Sequence, residues 1–244
     1  MKKILKDLKE GRISAEEAEK LIAEYLSVGD FCKFDFSREH RRGVPEIVLG
    51  EGKEERHLLE IAKRVYEKKG GVIITRIDKK IVPMLEKIGP CRYNALGKVA
   101  IIGKLRTERK GVVGILTAGT SDIQVAEEAG IIAEEMGCKV IKSYDVGVSG
   151  IHRLYPAIKE MKERGAGAII VVAGMEGALP SVVSGLVDIL VIGVPTSNGY
   201  GYGGKGEAAL MAMLQSCSPG VVVVNIDNGV GAAIAASIVA KNRL

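Results

Sequence analysis

The sequence predicts an α/β protein in two parts: a small basic N-terminal α/β domain over residues 1–110, and a domain with a parallel sheet between helical layers over residues 111–244. Three observations carry this. The second half holds five short, near-continuous apolar runs, each followed by a helical pattern, as parallel strands buried on both faces read. Charge divides at the same place: residues 1–110 carry 26 Lys+Arg against 18 Asp+Glu, and residues 111–244 carry 9 against 12. Most of the 31 glycines also lie past residue 100, where tight loops and close approach of backbone to ligands need them.

The elements follow in order. Residues 2–26 read as helical segments, with Ser14 and Glu17 spaced as a capping box. FCKFDFSREHRRGVPEIVLGEGK comes next and holds the chain's three phenylalanines, Phe31, Phe34 and Phe36, as anchors onto a core. Residues 54–69 alternate charges with Leu58, Leu59, Ala62 and Val65, a helix closed by Gly70 and Gly71. GVIITRI is a β-branched strand, and VPMLEKI a short helix opened by Pro83. From residue 111 the strands are GVVGILTA, CKVIKSYD, AGAIIVVAG, DILVIGVP and GVVVVNID. Their helices are TSDIQVAEEAGIIAEEM, IHRLYPAIKEMKER, LPSVVSGL, GEAALMAML and GVGAAIAASIVAK. The last is apolar all round, which predicts burial on every side. Burial between subunits of a homo-oligomer meets that need.

Composition narrows the function classes. With 47% hydrophobic and 27% charged residues the chain is globular. No apolar run reaches about 18 residues, so no membrane partner is expected. The opening MKKILKDLKEGR is too charged for a signal peptide, and the expected location is cytoplasmic. Cys32, Cys91, Cys138 and Cys217 form no CxxC pair, which predicts free thiols rather than a zinc site. Basic residues of the first half alternate with acids, as on a solvated face, which argues against a nucleic-acid partner. A small anionic substrate needs only a few of these arginines.

Ligands of an open parallel sheet bind beyond the carboxyl ends of its strands, here at 118–122, 145–149, 173–176, 195–204 and 227–229. Gly119, Thr120, Ser121 and Asp122 join the first strand to its helix. They read equally as helix caps and as a phosphate cradle at a helix N-terminus. Gly201, Gly203 and Gly206 have the spacing of a dinucleotide fingerprint, but residues 195–200 separate them from the strand, so the fingerprint is set aside. That loop is a plain flexible connection or a substrate lid carrying Tyr200, Tyr202 and Lys205. Glu176 follows an apolar strand between glycines. A partly desolvated carboxylate there has a raised pKa suited to acid–base work; the plainer reading is a stabilising charge at a helix N-terminus. Cys217 lies in QSCSPG before the last strand, either a small packed residue or a nucleophile in a cationic or helix-end setting. His152 and Arg153 are an anion site or a loop pair. Arg38, His40, Arg41 and Arg42, with Asp35 and Glu39, are a fork for carboxylates or a solvated turn.

In order, GILTAGTSD, VSGIHRLYP, VVAGMEGALPSVVSGLVDILVIGVP and GVVVVNIDNGVGAAIAASIVA resemble the PurE family of aminoimidazole-ribotide carboxylases and mutases. The resemblance covers residues 111–244 and implies a PurE-like, flavodoxin/Rossmann-like three-layer domain. Residues 119–122 match that family's phosphate-binding GSxSD turn, and His152-Arg153 its HR pair. Two departures stand out: AGMEGAL replaces the PurE AGGAAH segment, and PurE proteins lack the basic first half. Both features, with FDFSREHRRGVPEIVLGEGK and NGYGYGGKGEAAL, are similar over nearly the whole chain to the LarB family, the pyridinium-3,5-biscarboxylic acid mononucleotide synthases of nickel-pincer nucleotide biosynthesis.

That resemblance implies an enzyme acting on nicotinic acid adenine dinucleotide. The pyridinium ring is carboxylated with carbon dioxide or bicarbonate as co-substrate, the phosphoanhydride is hydrolysed, and AMP leaves. Cys217 matches the cysteine that adds to the ring, and Glu176 the glutamate linked to hydrolysis. Gly119, Thr120, Ser121, Asp122, Ser149, His152, Arg153, Arg38, Arg42, Tyr200, Gly203 and Lys205 are the expected substrate-binding residues. Mg²⁺ is the expected ion, with Asp122 its candidate ligand, and an even-numbered assembly such as an octamer is implied. Two other classes remain: a PurE-type purine enzyme, which needs no Cys217, and a non-catalytic nucleotide-binding module, which binds without turnover.

Overall fold

In the computed structural model, residues 2–28, 31–36, 38–105 and 110–242 are described, with the side chains of residues 2, 23–27 and 40 outside the description. The expectation for His40 therefore lies outside the described side chains. Contacts gather the chain into two units, Met1–Tyr93 with Ala100–Leu105, and Asn94–Val99 with Arg106–Leu244.

The first unit begins with helices α1 (Lys2–Lys9) and α2 (Ala15–Leu26). Ser14 caps α2 by accepting the Glu17 N–H at 3.1 Å. The Glu16 carboxyl is held below its usual range by its own backbone N–H and then by the Ser14 hydroxyl. An antiparallel hairpin of β1 (Ser27–Val28) and β2 (Cys32–Lys33) follows, then α3 (Arg38–Arg42). The remaining elements are β3 (Ile47–Leu49), α4 (Glu55–Lys69), β4 (Gly71–Thr75), α5 (Val82–Glu86), β5 (Cys91–Asn94) and β6 (Val99–Gly103). They make a four-stranded sheet ordered β3-β4-β6-β5, with β3 parallel and β6 antiparallel to β4. Helix α4 presents Leu58, Ile61, Ala62 and Val65, four apolar positions at helical spacing, to this core. It ends where Gly70 takes the left-handed φ of 77°. Phe34 and Phe36 are buried in the same core, whereas Phe31 is 41% exposed and stacks on His57. Two of the three phenylalanines are therefore core anchors.

The second unit is built on β7 (Val112–Thr117), β8 (Lys139–Ser143), β9 (Ala168–Ala173), β10 (Leu190–Pro195) and β11 (Val221–Val223). All pair in parallel, in the order β11-β10-β9-β7-β8. In chain order this is 2-1-3-4-5, the flavodoxin-like arrangement, whose switch point falls between β7 and β9. Helices α6 (Ile123–Glu135) and α10 (Gly229–Asn242) pack on one face. Helices α7 (Leu154–Glu163), α8 (Leu179–Ser184) and α9 (Glu207–Leu214) bury Leu154, Met161, Leu179, Val183, Ala209 and Met213 against the other face. The fold is thus α/β, with a flavodoxin/Rossmann-like three-layer domain following a small α/β domain.

One expectation changes. The run GVVVVNID yields a strand of only three residues, because β11 is an edge with a partner on one side and Asp227 turns the chain at φ 55°. Within the chain, helix α10 is only partly enclosed, and the sequence assigns its full burial to contact between subunits. Ala232, Ala233, Ala236, Ser237 and Ala240 are buried, but Ile238 is 40% exposed. Among the described residues no helix is long and apolar enough to cross a membrane.

Candidate functional site

A cavity of about 370 Å³ opens at the carboxyl ends of β7 and β9, the switch point of the sheet. It is lined by Gly119, Ser121, Asp122, Ser149, Met175, Glu176, Asn198 and Tyr200, among others. The first wall is the turn after β7. Thr120–Asp122 form one 3₁₀ turn leading into α6, a helix start of the kind that can hold an anion. Asp122 is 4% exposed. Its Oδ2 accepts the Gly119 N–H at 2.9 Å and its Oδ1 the Thr196 hydroxyl at 2.7 Å. Burial pushes this carboxyl up, against the hydrogen bonds from Thr196, Gly119, Asn198 and Gly174. The cap reading and the cradle reading are therefore compatible: Asp122 braces the turn from within, while Gly119 and Ser121 line the cavity.

The second wall is the turn after β9. Met175 takes φ 46°, and Glu176 beside it lines the cavity. Glu176 is exposed in the chain, which corrects the expectation that its carboxylate is desolvated. The buried carboxylate of this site is Asp122 instead. Ser149 comes from the 3₁₀ segment Val148–Arg153 after β8. Tyr200 comes from the glycine-rich loop after β10 and is 82% exposed at the rim.

Other expected residues do not line this cavity. Thr120 lies within the cradle turn but not on the wall, and Gly203 and Lys205 lie further along the loop. His152 is exposed, and Arg153 pairs with Asp145. Cys217 is exposed in the segment that enters β11. Its neighbours are sutured to α8: Ser181 Oγ donates to Ser216 Oγ at 2.7 Å and Ser218 Oγ to the Ser181 carbonyl at 2.9 Å. Arg38 and Arg42 are exposed on α3 of the first unit, where Arg41 pairs with Asp35. Among the described residues no three His, Cys, Asp or Glu side chains converge for a metal ion. Both Asp122 oxygens are already occupied, so these side chains do not fit a resident Mg²⁺ site.

Three residues of the site escape the sequence reading. Thr196 holds Asp122, Met175 bends the glutamate turn, and Asn198 donates to the Ser121 carbonyl at 2.7 Å. TSNG reads locally as a turn, and the only hint was its place at a strand's carboxyl end.

Comparison with known proteins agrees with this geometry. Residues 25–104 match the LarB/PurE-like N-terminal domain, and residues 112–243 match AIR carboxylase. An uncharacterized protein of Methanocaldococcus jannaschii is 48% identical over 255 residues, covering 99% of this chain and 98% of that protein. N5-carboxyaminoimidazole ribonucleotide mutase of Pyrococcus horikoshii is 34% identical over 131 residues, 52% of this chain and 71% of the mutase. That of Thermotoga maritima is 32% identical over 132 residues, 51% of this chain and 72% of the mutase. The cavity at the β7/β9 switch point thus lies in the part shared with the mutases, a separate N-terminal module precedes it, and the chain belongs to the LarB family, a PurE-related carboxylase family.

Proposed function

We propose that the protein carboxylates the pyridinium ring of nicotinic acid adenine dinucleotide and cleaves its phosphoanhydride, releasing pyridinium-3,5-biscarboxylic acid mononucleotide and AMP for nickel-pincer nucleotide biosynthesis. The observation that supports this reading is one cavity lined by Glu176 together with Gly119, Ser121 and Asp122, in a chain whose first unit matches the LarB-type module. A phosphoanhydride in the cradle meets backbone N–H groups and a helix start, with a carboxylate nearby to take a proton from attacking water. Mg²⁺, if it takes part, belongs with the substrate's phosphates.

The ring chemistry asks for a soft nucleophile. A pyridinium is electron-poor and does not attack carbon dioxide. Addition of the Cys217 thiolate at ring carbon 4 turns the ring into an enamine, and carbon 5 becomes nucleophilic. Carbon 5 then forms a bond to carbon dioxide, supplied directly or from bicarbonate. Loss of the carbon 5 proton and departure of the thiolate restore the aromatic ring. Arg38 and Arg42 supply positive charge for the ring carboxylate or the phosphates. His152, Arg153, Ser149, Tyr200, Gly203 and Lys205 complete the proposed binding set.

The mutase relatives favour a second reading, a purine enzyme acting on an aminoimidazole ribonucleotide. Mass spectrometry separates the two. Incubated with nicotinic acid adenine dinucleotide, bicarbonate and Mg²⁺, the wild type yields a carboxylated mononucleotide and AMP. Cys217→Ser yields neither, while Cys32→Ala and Cys91→Ala retain both. Glu176→Gln accumulates carboxylated dinucleotide, and Arg38→Ala or Arg42→Ala raises KM, more so at low salt. A wild-type rate of carboxylation by Cys217→Ser, or turnover of an aminoimidazole ribonucleotide in place of the dinucleotide, moves the purine reading ahead.

A further inference from the structure

The turn that carries Glu176 is bent by a residue in an uncommon conformation. Met175 has φ 46°, a left-handed backbone that is unfavourable for a residue with a side chain. Such a conformation persists where its surroundings over-determine it. Here they are supplied by the segment 196–198. The Asn198 carbonyl accepts the Met175 N–H at 3.3 Å. Gly174 leaves no room beside it: a Cβ there would overlap the Asn198 carbonyl oxygen and stand 2.8 Å from Thr196 Oγ1.

The Asn198 side chain reaches the opposite wall. Its Nδ2 donates to the Ser121 carbonyl at 2.7 Å, across 77 residues of sequence, and the same amide is one of the donors that stabilise the charged form of Asp122. From behind, the Ser197 N–H donates to Asp227 Oδ1 at 2.9 Å. The next residue, Gly199, begins the glycine-rich loop. An Asn-Gly pair is ordinarily explained by turn formation alone. That explanation covers neither the long-range bond to the cradle nor the closed space at Gly174.

We propose that Asn198 is a positioning residue that sets the Glu176 turn against the 119–122 cradle, so that carboxylate and bound phosphoanhydride stay in register. This rests on the reading in which Glu176 serves phosphoanhydride cleavage. Asn198 then governs cleavage rather than ring carboxylation.

The test compares full-length Asn198→Ala, Asn198→Asp, Glu176→Gln and the double variant Asn198→Ala/Glu176→Gln. Asn198→Ala lowers kcat for AMP release by about 100-fold, the scale of a 1 Å misplacement. KM changes little and carboxylated dinucleotide accumulates. The double variant loses no more than Glu176→Gln alone, because residues that act as a unit are not additive. Asn198→Asp has no donor when ionised and regains one when protonated, so its AMP release, relative to wild type, rises as pH falls into the carboxylate range. Wild-type AMP release from Asn198→Ala, additive losses in the double variant, or a flat relative pH profile for Asn198→Asp overturns the proposal. If the wild type leaves the dinucleotide unchanged, the reaction reading fails first, and hydrogen exchange then decides on Asn198. Asn198→Ala is expected to speed exchange at 119–122 and 174–178 and leave β8 and α7 unchanged; unaltered exchange in both turns refutes the positioning role.

Discussion

Glu127 on α6 is 8% exposed, and a carboxylate can remain there only if its oxygens are answered. Lys142 Nζ donates to it at 2.8 Å, Asn94 Nδ2 at 3.0 Å, and the Tyr144 hydroxyl completes the set. Burial pushes the Glu127 carboxyl up, and these three donors more than offset it, so it lies below the ordinary carboxylate range. Tyr144 moves the other way, raised by burial and by Glu127. Asn94 Oδ1 also takes the Gly97 N–H at 2.7 Å, so the 94–97 turn is organised around this carboxylate. Glu127→Gln is expected to cost about 1.5–3 kcal/mol at neutral pH, the range for bonds to a charged group. A depressed carboxyl stabilises above the ordinary value of about 4.3 and ceases to as pH falls through its folded value. A raised phenol stabilises below about 10 and ceases to as pH rises through its folded value. The urea-midpoint gap between wild type and Glu127→Gln should therefore hold between about pH 6 and 9 and narrow below about pH 4. An equal gap at pH 3 and pH 7 would show that the network does not act through charge. Nothing in VAEEAG marks Glu127 as a buried carboxylate, because its partners lie 15, 17 and 33 residues away. Asn198 was hidden for the same reason. Gly119, Ser121, Asp122, Ser149 and Glu176 were legible because strand ends in a parallel sheet share one edge, a relation that needs only the order of elements.

At the scale of elements, the five parallel strands and their helices were readable because the central strands β7, β9 and β10 are buried on both faces and each connection is local. The mixed sheet of the first unit was readable only at β4. The two edge strands of that sheet, β3 and β5, have three and four residues, too few to show a period. The antiparallel pairing of β6 with β4, Val72 opposite Ile102, has no signature in a local window. The phenylalanine segment shows how such a unit gains stability. Phe36 is 4% exposed, lies 4.9 Å from Phe34 between ring centroids, and has Lys68 Nζ 4.5 Å above its ring. Phe36→Ala should cost about 3–5 kcal/mol, the transfer and cavity range for a buried ring. Phe31→Ala, at a half-exposed ring, should cost under about 1.5 kcal/mol. Urea denaturation of both variants checks the order; equal losses would mean that the segment is held by something other than its buried rings.

At the scale of the whole molecule, the second unit carries apolar surface that its own chain leaves uncovered. On α9, Met211 is 62% and Leu214 65% exposed; Val222 of the edge strand β11 is 45% and Leu186 39% exposed. An open β-branched edge beside an apolar helix invites pairing with another chain. Cys217 lies between α9 and β11 in sequence, exposed, and does not line the cavity that holds Asp122 and Glu176. If the ring chemistry uses Cys217 and the cradle holds the phosphates, a second copy can bring its own Cys217 to the cavity. The expected outcome is a homo-oligomer by light scattering at micromolar concentration, which Leu214→Glu dissociates by placing a charge in the apolar contact. Complementation then tests whether the site is shared. Cys217→Ser and Asp122→Asn are each expected to be inactive, one lacking the nucleophile and the other the braced cradle. Unfolded together and refolded as mixed oligomers, they regain part of the wild-type carboxylation if a site takes Cys217 from one chain and its cradle from another. Mixed oligomers as inactive as their parents would place both groups of a working site on one chain, and the segment 215–220 would then have to move toward the cavity during turnover.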